Sequence, residues 1–163
     1  ATEWRSPALI AATTATFAVV LFLADRRAGH ASRAIGGLSW ADALLIGGAQ
    51  AISLVPGVSR SGVPMSAALF LGLRRPEAAR FSLLLSIPTT AAAGILEGVD
   101  LVRSGDSAWQ ADAALAGFLA FVSGFLAIWG LMAWLRHATF TPFVVYRLGL
   151  AAVLLLLIAV GRL

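Results

Sequence analysis

Leu54-Val55-Pro56-Gly57-Val58-Ser59-Arg60-Ser61-Gly62-Val63-Pro64 is a polar, turn-forming stretch set between two apolar runs. The run before it, Trp40 to Val55, carries one acid, Asp42, near its start; the run after it, Val63 to Leu73, carries no charge. Neither run is long enough to cross a bilayer, which takes about 20 residues of helix. Together they predict a helix, a break and a second helix, with Arg60 at the break. Backbone at membrane depth is tolerated only where protein or a watery cavity covers it, and an arginine there marks a functional site by default. The competing reading is a kinked helical hairpin whose Arg60 snorkels to the interface.

The break has its own chemistry. Pro56 removes a backbone donor and Gly57 relaxes the dihedral limits, so the first half-helix is expected to stop there. Ser59 and Ser61 are suited to cap the half-helix that follows, and Pro64 falls in its first turn, where a missing N–H costs little. The unpaired N–H groups of that turn carry partial positive charge and favour an anion. Arg60 adds a planar fork of donors that matches phosphate oxygens. Two hydroxyls, a guanidinium and a helix N-terminus are thus expected to converge on a phosphate group.

Outward from this centre the chain reads as apolar spans joined by short polar connections. Ala8 to Ala24 is about 17 residues, rising about 26 Å, enough to span with flanking anchors. It ends at Asp25-Arg26-Arg27, and the connection through Arg33 includes His30. Ser39-Trp40-Ala41-Asp42 is a capping box with Asp in place of the preferred Glu. Arg74-Arg75-Pro76-Glu77 opens the next span, which runs from Ala78 to Leu96 and is expected to kink at Pro88. Glu97 to Asp112 is an acidic connection containing Asp100 and Asp106 as well, with one Arg103. Ala113 to Leu135 is the longest clean span; its Ala116, Ala120 and Gly124 form a small-residue stripe that admits a close helix neighbour. Thr141-Pro142 opens the last span, which reaches Val160.

Orientation follows from the arginines. The connections Asp25–Arg33, Arg74–Arg80 and Arg136–His137 are basic and belong in the cytoplasm, with Glu97–Asp112 outside. That holds only if Trp40–Leu73 returns to the side it entered from, so charge alone argues for a re-entrant hairpin. Arg147, a few residues into the last span, either snorkels to the cytoplasmic interface or lines the polar cavity. Gln50 either bonds nearby backbone or faces the anion. His30 and His137 read as solvated, Trp40, Trp109 and Trp134 as interface anchors.

Composition agrees. At 163 residues the chain is 60% hydrophobic, and its mean hydropathy is +0.89, far above a soluble domain. All 12 basic residues are arginine. They lie in connections and form no face, so the net charge of +4 is not a nucleic-acid footprint. Without cysteine there is no disulfide framework or thiolate metal site. The start, Ala1-Thr2-Glu3-Trp4-Arg5-Ser6-Pro7, has no initiator Met and no basic n-region. It reads as an internal cut or as a chain whose beginning is not included.

Pro56-Gly57-Val58-Ser59-Arg60-Ser61-Gly62 resembles the PGxSRSG signature of the undecaprenyl-diphosphate phosphatases, the bacitracin-resistance family. Gln50 resembles that family's glutamine, Arg80-Phe81-Ser82-Leu83-Leu84-Leu85-Ser86-Ile87-Pro88 its FSFLLxxP helix, and Phe143-Val144-Val145-Tyr146-Arg147 its FxxYR segment. The similarity covers most of the chain, with motifs in the same order. Two features depart from the pattern. The glutamate-rich motif and the serine-rich SSTGH loop of the family's N-terminal half do not appear, and Pro64 stands where a threonine is usual.

The expected architecture is an all-α polytopic membrane protein: about four transmembrane helices plus one re-entrant helix-loop-helix hairpin, residues 1–163 forming a single membrane domain like the family's C-terminal half. The resemblance implies hydrolysis of a polyprenyl diphosphate lipid to the monophosphate and phosphate in the bacterial inner membrane. In that reading Arg60 and Ser59 are catalytic, and Gly57, Ser61, Gly62 and Gln50 bind substrate. A divalent metal, Mg or Ca, is implied, with ligands outside this chain, which offers no metal site of its own. The expected partners are the lipid, the membrane, and a second copy or a complementary N-terminal half. The alternatives are a non-catalytic polyprenyl-phosphate binder or transporter, and an inactive truncated relative.

Overall fold

The computed structural model describes residues 6–103 and 107–161. Ser6 starts helix α1 (Pro7–Arg27): its Oγ accepts from Leu9 N–H at 3.3 Å, and Pro7 takes the first-turn position where no donor is needed. The buried face of α1 is Ala11, Thr14, Ala18, Leu21, Ala24 and Asp25, a three-to-four spacing that puts these side chains on one stripe. Most of that stripe is small, so neighbouring helices come close.

Two short helices follow, α2 (Trp40–Ala49) and α3 (Gly62–Phe70), and the predicted capping box on Ser39 and Asp42 forms at the first. Ten residues of α-helix rise about 15 Å. α2 then tightens into a 3₁₀ turn over Gln50–Leu54, so the chain leaves regular helix before Pro56. The hairpin closes on itself. Arg33 and Leu73 form a parallel bridge, with Arg33 N–H on the Gly72 carbonyl at 3.2 Å and Arg74 N–H on the Arg33 carbonyl at 3.1 Å. Entry and exit are therefore side by side, as the arginine distribution required. Gly72 makes the exit possible. Its φ of +84° lets Gly72 N–H reach Leu69 O and Leu73 N–H reach Ala68 O, which terminates α3 in a Schellman motif.

Helix α4 (Arg75–Arg103) continues through Pro88, and α5 starts at Ser107 and runs to Leu135. The acidic connection expected over Glu97–Asp112 is accordingly much shorter. Glu97 and Asp100 ride on the end of α4 and Asp112 on the start of α5, while Asp106 lies outside the described residues. Apolar neighbours at helical spacing carry these acids as part of the helix surface. Helix α6 (Thr141–Ala159) completes the set. Four helices, from Pro7, Arg75, Trp109 and Thr141, are long and apolar enough to cross a membrane. The protein is an all-α polytopic membrane protein.

The core forms around α3, whose Val63, Pro64, Met65, Ser66, Ala68 and Leu69 are buried. Ala18, Leu21 and Ala24 of α1, Ile46, Ala78 and Ala79, Leu135, Phe140 and Val144 close over it. The short re-entrant helix is the most completely buried one, while the spanning helices α1 and α6 make the most extensive pairing. Asp25 ties three elements together. Its carboxylate accepts from Arg75 Nε at the start of α4 and from Phe140 N–H (3.0 Å) just before α6. The stripe Ala116, Ala120 and Gly124 meets no helix among the described residues; a Cβ built on Gly124 would have nothing within 4 Å.

Candidate functional site

Val55 to Val58 is a type II turn. Pro56 sits at its second position, Gly57 has φ +85°, and Val58 N–H returns to the Val55 carbonyl at 3.2 Å. Only glycine fits at 57, for a second reason as well: a Cβ there would stand 2.1 Å from Thr13 Oγ1 and 2.6 Å from the Ile10 carbonyl. The turn is pressed onto α1 and tied to it. Thr13 Oγ1 has one proton and three carbonyls within reach, the nearest being Pro56 O at 2.7 Å. Thr14 Oγ1 donates to Gly57 O at 3.2 Å, and from α6 Arg147 Nη2 donates to the same oxygen at 2.8 Å. Arg147 thus takes the second of its two sequence readings and lines the cavity.

Past the turn the loop enters α3. Ser59, not Ser61, supplies the side-chain cap, its Oγ accepting from Gly62 N–H at 3.1 Å. Ser61 holds the N-cap position in helical dihedrals (φ −87°, ψ −30°), so its hydroxyl does not fold back onto the helix. Its carbonyl accepts from Met65 N–H and from the buried Ser82 hydroxyl at 3.0 Å. The N–H groups of Ser59, Arg60 and Ser61 meet no acceptor among the described residues.

The loop divides the expected constellation. Ser59, Ser61 and Gly62 face a cavity of about 520 Å³ together with Arg147, and its walls include Met65, Leu131 and Phe143. A Cβ on Gly62 would fill the hollow between Ser59 Oγ (3.0 Å) and Arg147 Nη1 (3.3 Å). Arg60 is exposed and turns the other way. It borders a second cavity of about 430 Å³ with Gln50, Ser53 and Thr89. Arg60 makes no hydrogen bond or ion pair among the described residues, and Gln50 Oε1 is buried without a partner. The two hydroxyls therefore converge with Arg147, and Arg60 converges with Gln50 across the loop. Successive side chains of an irregular segment leave it on different sides.

Thr13 and Thr14 belong to no recognised motif, yet both grip the turn. Two adjacent threonines inside an otherwise apolar span were the available signal. Among the described residues no three His, Asp or Glu side chains come together to hold a metal. The divalent ion that the resemblance implies has its expected ligands outside this chain.

The family model described as bacitracin resistance protein BacA matches residues 1–153. An undecaprenyl-diphosphatase 1 of Rhodospirillum rubrum is 49% identical over 94% of this chain and 54% of its own length. Undecaprenyl-diphosphatases of Hahella chejuensis and Campylobacter curvus are 47% and 48% identical, each over 93% of this chain and 56% of their own. The chain spans about half the length of the curated relatives it matches.

Proposed function

The chain belongs to the bacitracin resistance protein BacA family, and from that premise we propose that it carries part of the phosphate-handling site of an undecaprenyl-diphosphatase. The reaction is hydrolysis: a water oxygen bonds to the terminal phosphorus, the bridging P–O bond breaks, and the electron pair leaves with the lipid monophosphate. One observation carries the reading. A cation and N–H groups with no partner among the described residues, and two alcohols, stand on a re-entrant loop between apolar helices. An arginine on such a loop with no counter-ion among the described residues is suited to a ligand that brings negative charge.

In this reading Arg60 clamps the diphosphate and offsets the charge that grows on the leaving oxygen. From the opposite face of the loop Ser59 and Ser61 donate to phosphate oxygens, Gly57 and Gly62 keep the backbone close, and Gln50 orients the headgroup on the Arg60 side. The apolar walls beside Arg147 take the prenyl chain. The basic connections lie in the cytoplasm of a bacterial inner membrane, and residues 1–163 act as one membrane domain. A second copy or a complementary N-terminal half faces Arg60 and Gln50 and brings the group that activates water; the orphaned Gln50 Oε1 supports a missing neighbour there.

A phosphate-release assay on the purified chain, with and without a complementary half and Mg²⁺, tests the reading. Release that Arg60→Ala abolishes is the expected result. Pro64, where the family usually has a threonine hydroxyl, favours a second reading, a non-hydrolytic binder of polyprenyl phosphate. Tight binding of that lipid with no release under any combination would select it.

A further inference from the structure

Three connections far apart in sequence wall one cavity of about 480 Å³: Ala28 and Gly29 after α1, Arg74 to Glu77 at the start of α4, and Leu135 to Ala138 after α5. Not all of its charges are committed. Arg75 is engaged by the Asp25 carboxylate and the Asp25 carbonyl. Glu77 gives one oxygen to Ile35 N–H at 3.0 Å, and its other oxygen lies 3.8 Å from Arg74, too far for a hydrogen bond. Arg136 and His137 are exposed, and their side chains make no hydrogen bond or ion pair among the described residues. Arg74, Arg75 and Arg136 outnumber Glu77 and Asp25, so the lining keeps an excess of positive charge.

The hollow continues down the same seam. Three residues further along α4, from Glu77 to Arg80, and three back along α5, from Leu135 to Met132, a groove of about 730 Å³ opens between the two helices. Residues three apart on a helix share a face, so cavity and groove are stacked end to end. Leu84, Ile87, Phe121 and Ile128 line the groove. Trp134, 48% exposed beside the cavity, donates its indole N–H to the Thr139 carbonyl at 3.2 Å. A tryptophan of this kind marks headgroup depth. Basic lining at headgroup depth and apolar lining below it match an amphiphile with an anionic head.

We propose that the α4–α5 seam binds an anionic phospholipid, with its phosphodiester on Arg74 and Arg136, His137 as a further donor, and an acyl chain in the groove from Arg80 to Phe121. Guanidinium forks suit phosphate oxygens, and basic pockets between membrane helices take anionic headgroups. Free phosphate would leave the groove empty. The seam shares no lining residue with the Ser59–Arg147 cavity, so the proposal stands without the hydrolase reading.

Native mass spectrometry of the intact chain in detergent tests it, titrating phosphatidylglycerol and phosphatidylcholine with identical acyl chains. At about fivefold per arginine, phosphatidylglycerol is expected to bind roughly 30-fold more tightly. Arg74→Gln with Arg136→Gln should bring the two lipids to within about twofold while phosphatidylcholine still binds. Ile87→Trp, which fills the groove, should weaken both lipids together. Equal affinities in the unaltered chain would overturn the proposal without any variant. So would inorganic phosphate stripping the bound lipid, a polyprenyl phosphate outcompeting phosphatidylglycerol, or an Ile87→Trp variant that binds both as before.

Discussion

Arg147 donates to the carbonyl of Gly57 at 2.8 Å, across 90 positions of sequence and from the last helix to the re-entrant loop. The bond holds the loop from α6, on the carbonyl oxygen that Thr14 of α1 also engages. A hydrogen bond from a charged donor is worth about 1.5–3 kcal/mol. Arg147→Ala should cost about that much, and hydrogen exchange should quicken over residues 57–62 before it does elsewhere. Arg147→Lys, which keeps charge but loses the planar fork, should fall between. Unchanged exchange in the alanine variant would mean that α1 alone holds the loop.

Gly57 has the least tolerance of any position in the loop. A side chain there suffers both the left-handed dihedral and the contact with Thr13, so Gly57→Ala should lose about 3 kcal/mol or more. The two penalties can be separated. Thr13→Ala alone costs the bond to Pro56, but in the Gly57→Ala background it removes the atom that would stand 2.1 Å from the new methyl. Partial recovery of the melting temperature in the double variant is expected. Strict additivity would show that the clash is not what limits this position.

Asp25 is 3% exposed and serves Arg75 and Phe140 N–H at once. Asp25→Ala strands a part-buried guanidinium and an amide, and removing one partner of such a pair costs about 3–5 kcal/mol. Asp25→Asn keeps an acceptor for Phe140 and should be milder. Adding Arg75→Gln to Asp25→Ala should restore part of the loss in thermal unfolding. No recovery would shift the weight to the Phe140 contact.

Asp42 lies outside the spanning helices, and its carboxyl is held at about 2, first by the Ser39 N–H and then by the Arg33 guanidinium. With the folded value below the unfolded one, its contribution is complete above the ordinary carboxylate range near 3.8 and is lost as pH falls through about 2. Acid titration followed by exchange at Ser39–Ala43 should show the α2 cap loosening across that window. In Asp42→Asn the same titration should be flat. A cap that opens already near pH 5 would contradict the assignment.

Much of the architecture was legible in local pattern. Helix starts at Ser39-Trp40-Ala41-Asp42, Pro76 and Thr141-Pro142 are chemical signals spanning a few residues, and hydropathy alone marks the spans. The arginine-rich connections demanded a hairpin that returns to its own side, and the bridge between Arg33 and Leu73 shows that it does. The acidic stretch Glu97–Asp112 misled because a few acids at a helix end look like a loop when read by polarity.

The site was legible as a motif but not as a geometry. Sequence by itself determined that Ser59, Arg60 and Ser61 sit at a break between two helices too short to span. Only the tertiary structure decided that the hydroxyls turn toward Arg147 while Arg60 turns toward Gln50. It also decided that Thr13 and Thr14 grip the turn and that Asp25 joins three helices. The physical reason is range. Caps, breaks and apolar runs are written in residues a few positions apart, whereas the facing of an irregular loop is set by how α1, α3 and α6 pack around it, through contacts between residues tens of positions apart.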